Sequence, residues 1–177
     1  MSDLYRIEHQ FKFSTKSEAE KEANTIAKYI DRAARQNNIS CKAVICISEY
    51  NIRNAYPSLR KNGKRGRPKV VFMDKYRLGH PAKKIAPHLH ILLKSEKVCK
   101  LSKMVVHNIN NRHRKRHPDM ANKVVSRHYP VIETPEKYVA YTMHQKSELR
   151  FVEYDEKGIL NDFDFKTEYE KYKPNLF

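Results

Sequence analysis

The run APHLHILLK (86–94) restricts the possible folds more than any other stretch of this chain. Its apolar residues fall far short of the roughly 20 that a membrane-spanning helix needs, and it reads as a β-strand. In an extended chain, side chains at i and i+2 point to one face with backbones about 6.5 to 7 Å apart, so His88 and His90 share a side. That reach lets both imidazoles meet one metal ion. It also lets them sit half-buried with no ligand at all.

Partner strands are present in the sequence. LYRIEHQFKF (4–13) alternates, and CKAVICISEY (41–50) is rich in β-formers and predicts a central strand, with Cys46 as a small core residue. VVFM (70–73) predicts a short strand and LRFVEYD (149–155) a last one. KVVSRHYPVIE (123–133) is strand-like, and Pro130 suits an edge or a bulge. Helical period runs through SEAEKEANTIAKYIDRAARQ (17–36), with Ser14 or Thr15 as cap, Glu18 in the first turn, and Ala19, Ala23, Ile26, Ala27, Ile30 and Ala34 as the apolar stripe. LSKMVVHNINNRHRKR (101–116) repeats the pattern with Leu101, Met104, Val105 and Ile109 inward, ending at His117-Pro118. Thr134-Pro135-Glu136 opens a third helix, with Thr134 as N-cap and Pro135 in the first position. The expectation is one α+β domain over residues 1–155: a central antiparallel sheet of about five strands with helices packed mainly on one face. Residues 156–177 carry aromatics without a clear period and are expected to pack on the same domain as a tail.

Charge narrows the partner. Thirty-six Lys and Arg face 20 Asp and Glu, a formal net charge of +16. Such a field attracts polyanions and costs the compact state through self-repulsion. No long basic amphipathic helix suggests a membrane surface, so nucleic acid is the expected partner. Three cysteines without CxxC spacing, and an N-terminus lacking a signal-peptide apolar core, fit a cytoplasmic setting. RKNGKRGRPK (60–69) supplies Arg60, Lys61, Lys64, Arg65, Arg67 and Lys69. Its GRP core resembles an AT-hook, but its position between two strand-like runs favours a basic loop on phosphates. Arg112, Arg114, Lys115 and Arg116 form a second cluster at a helix end, where cations favour the helix dipole and can track a phosphate backbone.

In the third helix, KYVAYTMHQK (137–146) sets Tyr138 and Tyr141 three apart and Tyr141 and Gln145 four apart, with His144 three residues after Tyr141. These side chains share one helical face. An HxH strand followed about fifty residues later by a tyrosine helix resembles the HUH endonuclease superfamily, named for its His-hydrophobic-His strand and catalytic tyrosine. PHLHILL matches the strand and YVAYTMHQK the helix, in the order found in rolling-circle replication initiators. The match to small plasmid initiators, whose segment runs Tyr-x-Tyr-Leu-Thr-His-Glu, puts Tyr141 in the nucleophile's place. The tyrosine-x3-glutamine pattern of single-tyrosine transposases would make Gln145 a metal ligand. Initiators with Tyr-Val-Ala-Lys-Tyr favour Tyr138 instead, although Tyr141 stands here where their lysine would be. The resemblance covers about residues 40 to 155, and its specific motifs occupy fewer than twenty of them.

The resemblance implies a metal-dependent DNA nicking and joining enzyme. Mg²⁺ or Mn²⁺ on His88 and His90 would polarise the scissile phosphate, and a tyrosine would form a 5′-phosphotyrosine link that releases a 3′-OH. Glu49, near the end of the 41–50 strand, is the preferred third ligand because its hard oxygen suits these ions. Gln145 and His144 come next, and His80 last. Lys137 or Lys146 could steady the phosphate, while Tyr50, Tyr56, Tyr76 and Tyr129 read as packing or base-stacking groups. His107, His113, His117 and His128 read as ordinary surface or partly buried residues. The expected partners are single-stranded or hairpin origin DNA, with a host helicase and polymerase. A conjugative relaxase or transposase of the same superfamily, a water-using nuclease and a non-catalytic basic DNA-binding protein are the alternatives.

Overall fold

The computed structural model describes residues 3–51, 83–132, 139, 142–143 and 148–172. Among these, the chain runs β1 (Leu4–His9), α1 (Lys16–Asn37), β2 (Cys41–Asn51), β3 (Lys83–Ser95), α2 (Val98–Arg116), a 3-10 turn (Pro118–Met120), β4 (Ser126–Pro130), β5 (Glu148–Tyr154) and α3 (Phe165–Tyr172). The basic loop 60–69, the expected strand 70–73, His80 and most of the expected helix at 135–147 lie outside the described residues.

All strand pairs are antiparallel, in the order β4-β1-β3-β2-β5, which gives the open five-stranded α+β sheet that the sequence predicts. The histidine strand is its centre, bonded to β1 on one side and β2 on the other. β4 lies at an edge, so Pro130, with no N–H to donate, breaks no ladder beyond its single partner β1.

Alternation sorts the sheet into two faces. Ile7, Ala43, Ile45, Ile47, Leu89, Ile91 and Leu93 point to the side covered by α1 and α2, where Ile26, Ile30, Leu101, Val105 and Ile109 meet them in the main core. Each fully buried Ile or Leu contributes about 1.5 to 3 kcal/mol of transfer free energy, so this layer dominates the fold's stability. On the opposite face Leu4, Val44 and Leu92 pack with Val131, Val139, Met143, Phe165 and Tyr169. The C-terminal tail therefore folds back as α3 and covers part of the second face.

Local chemistry fixes the helix ends. Thr15 Oγ1 accepts from the Glu18 amide at 3.2 Å, and Glu18 returns a carboxylate oxygen to the Ser14 amide at 3.0 Å, satisfying two donors at the start of α1. Asn38 adopts a left-handed conformation (φ 48°) at the other end, and the next amide, of Ile39, reaches the Ala34 carbonyl at 3.0 Å. β1 stops at His9, short of the expected residue 13. Phe11 and Phe13 leave the ladder there and pack with His9.

Candidate metal centre

β3 carries His88, His90, Leu92 and Lys94 on the face opposite the main core. The two imidazoles converge: Nε2 of His88 lies 3.1 Å from Nε2 of His90, with ring centroids 4.8 Å apart and planes crossing at 76°. His88 Nδ1 stands 3.1 Å from the Ala86 carbonyl. A carbonyl only accepts, so Nδ1 carries the hydrogen and Nε2 is left with its lone pair facing His90. A backbone carbonyl orienting the far nitrogen in this way is the support that metal-bound histidines commonly have. Burial lowers the His88 pKa below the ordinary histidine value, the Ala86 carbonyl opposes this, and the Lys12 charge adds to the lowering. The neutral ring, which is the form that ligates metal, is therefore favoured at neutral pH.

The donor set fits a cation. Two nitrogens each about 2.1 Å from one ion and roughly 95° apart are themselves about 3.1 Å apart, which is close to an octahedral bite. Among the described residues, no group of three His, Cys, Asp or Glu side chains could hold a metal ion, so the pair supplies two donors and Glu49 is not gathered with them. Glu49 sits where the β2–β3 register slips between Ser48 and Tyr50. At the slip Glu49 alone faces Ile85, Ala86 and Pro87 of β3, and the Pro87 carbonyl accepts from the Phe13 amide at 2.9 Å. Gln145, His144, Tyr138 and Tyr141 lie outside the described residues.

Two features of the surroundings bear on the tyrosines. Val139 and Met143, one helical turn apart, are buried in the cluster that contains Val44 and Leu92. Those residues are one alternation along from Cys46 and His90, which pair across β2 and β3. The described residues of the tyrosine segment thus pack on the histidine face of the sheet. Thr142, next to Tyr141 in sequence, is also buried.

Strand register adds residues that sequence reading did not single out. Glu8 of β1 lies opposite His90 and Arg127 of β4 lies opposite Glu8, so all three belong to one face. Arg6 bridges to Glu8 at 2.9 Å and stands over the Tyr129 ring at 5.3 Å. Tyr129 was expected to pack or stack, and here it is the aromatic end of a polar row leading to His90. The alternation in LYRIEH marks Arg6 and Glu8 as sharing a face; only the pairing with β3 reveals which face it is.

The second basic cluster divides. Arg112 is tied to Glu22 of α1 across the helix interface, whereas Arg114, Lys115 and Arg116 are exposed and form no ion pair among the described residues. His128 bonds Ser102 at 2.9 Å and stacks on Tyr5, and His113 packs between Phe11 and His117. These rings are held by packing and hydrogen bonds within the fold. Among the described residues, no helix is long and apolar enough to cross a membrane.

Comparison of the chain with protein-family models, with curated proteins and with solved structures finds no match.

Proposed function

We propose that this chain is a metal-dependent DNA nicking-joining enzyme of the HUH type, acting on single-stranded or hairpin origin DNA to start rolling-circle replication. The observation that carries the reading is the convergence of the His88 and His90 Nε2 atoms on the sheet face that also buries Val139 and Met143 of the tyrosine segment. His88 and His90 would hold a Mg²⁺ or Mn²⁺ ion, whose positive charge would offset the charge that builds on the scissile phosphate. Tyr141 gives up its phenolic proton to solvent, and its oxygen bonds to phosphorus as the bond from phosphorus to O3′ breaks. The departing O3′ takes up a proton and leaves as a free hydroxyl, while the 5′ phosphate remains on the tyrosine. Attack by a 3′-OH reverses the exchange, so rejoining needs no nucleotide triphosphate. Arg6, Arg127 and Tyr129 on the same face are suited to hold the strand, two by charge and one by stacking. Strand separation and synthesis fall to a host helicase and polymerase. Relaxase or transposase roles use the same chemistry on other DNA.

A second reading rests on the same contact. A separation of 3.1 Å between ring nitrogens is also an ordinary hydrogen bond, and then the histidines are a polar pair in a non-catalytic DNA-binding protein. One experiment separates the two readings. Single-stranded oligonucleotides from the chain's own replicon, labelled at either end, are incubated with protein and Mn²⁺ and resolved on a denaturing gel. A labelled strand retained on the protein, and lost with Tyr141→Phe, His90→Ala or a chelator, supports nicking through Tyr141. Loss with Tyr138→Phe alone moves the nucleophile. Cleavage without adduct in every tyrosine variant means hydrolysis, and binding with no cleavage leaves the DNA-binding reading.

A further inference from the structure

α2 contains no Asp or Glu from Val98 to Arg116, yet it carries six Lys and Arg. Its solvent side presents Lys100, Lys103, His107, Asn108 and Arg114. Beside it, α1 and α2 leave a groove of about 420 Å³, lined among others by Tyr29, Arg32 and Gln36 of α1 and by Lys103, His107 and Asn108 of α2. Arg32 and Lys103 are exposed, and neither forms an ion pair among the described residues. The acidic residues of α1 nearby are already engaged: Asp31 holds Arg35 and Glu22 holds Arg112. Asn111 donates to His107 Nε2 at 2.8 Å, which leaves the hydrogen of that ring on Nδ1 and fixes its orientation. This groove belongs to the helical layer, on the other side of the sheet from His88 and His90.

We infer that the α1–α2 groove is a second nucleic-acid surface, one that docks the phosphate backbone of duplex DNA. The charge is complementary to phosphate, and it is carried on two rigid helices pinned by a buried apolar seam. Single strands are bound through aromatic platforms on which bases stack. This groove has one tyrosine, Tyr29, with Ala33 and Met104 as its apolar part, and its cations and amides suit phosphate oxygens and the outer edges of paired bases. The two surfaces would let one domain grip duplex DNA on its helices while it handles an exposed strand on its sheet. The duplex surface does not depend on tyrosine chemistry, and it stands or falls separately.

The test measures fluorescence anisotropy of a labelled 20-base-pair duplex with the full chain across a salt series. The double variant Arg32→Gln/Lys103→Gln is compared with Lys84→Gln/Lys171→Gln, which removes the same charge from exposed positions outside both helices. Each phosphate contact adds about 0.9 to the slope of log K against log salt, or roughly eightfold at 0.1 M. The groove variant should therefore lose roughly sixtyfold in duplex affinity and about 1.8 in slope, while its adduct formation on single strands is unchanged. A loss no greater than that of the control pair overturns the inference. So does an equal loss on a single strand of the same length. Duplex binding that follows the groove in a protein forming no adduct would sustain this surface and refute the nicking reading alone.

Discussion

Replacing Asn110 should cost a large share of the fold's stability. Asn110 is buried at the inner side of α2. Its Oδ1 accepts from the amides of Val125 and Ser126, both at 3.0 Å, and its Nδ2 donates to the Ser126 carbonyl at 3.0 Å. One amide side chain thus performs the pairing that a further strand would otherwise provide, at the point where the chain turns into β4. Asn110→Ala strips two backbone donors of their partner, at about 1 to 3 kcal/mol each, and also frees the carbonyl. Partial access of water reduces the sum, so the expected loss is roughly 3 to 5 kcal/mol, a large share of the 5 to 15 kcal/mol typical of a domain. Urea denaturation followed by circular dichroism measures it. Asn110→Asp should fall in between, because it retains both acceptor bonds and loses the donor. A loss below about 1 kcal/mol for the alanine variant would mean that β4 finds other partners, and the claim that Asn110 anchors it would be wrong.

Three further outcomes are expected. His90→Ala should weaken Mn²⁺ binding, read by calorimetry, by at least about 100-fold, since losing a direct ligand exceeds the 10 to 100-fold typical of its supporting groups. An unchanged affinity would remove the histidine pair from metal binding. Burial, helped by the charge of His113, pushes the pKa of His9 down to about 4; the unfolded chain therefore binds more protons between pH 6.5 and 4, and stability is complete above 6.5 and falls as pH drops through that window. The drop amounts to roughly 3 kcal/mol, and His9→Gln should flatten this part of a pH–stability curve. Thr15→Ala removes the α1 cap and should cost about 1 kcal/mol in the same denaturation assay.

How far the sequence reaches depends on whether a feature is local. The start of α1 was readable because Thr15 and Glu18 act within three residues of each other. The histidine spacing was readable because alternation is a property of one strand. The early end of β1 was not, since FKF alternates as a strand should; Phe11 turns away to pack against His113 of α2 and His117 just beyond it, and Phe13 packs on Phe11. α3 was missed because FKTEYEKY is short and mostly polar, and its anchors Phe165 and Tyr169 gain meaning only against Leu4, Val44 and Leu92. Glu8 opposite His90 and Arg32 beside Lys103 were invisible for the same reason. Each is a neighbour across more than twenty residues of chain, set by register or helix packing.

The position of β3 has a kinetic consequence. From His90 to Lys94 the strand is bonded on both flanks and covered by a core on one face, so this part opens only when the sheet opens and its amides should be among the slowest in the protein to exchange with solvent. His88 and His90 ride on that strand. His88 pairs with Ser48 of β2 but lies past the end of the β1 ladder, so the mutual geometry of the pair persists through fraying of β4, β5 and α3 as long as the β2 pairing holds. Elements at the sheet edges can loosen, or change in sequence, without shifting the two imidazoles relative to each other.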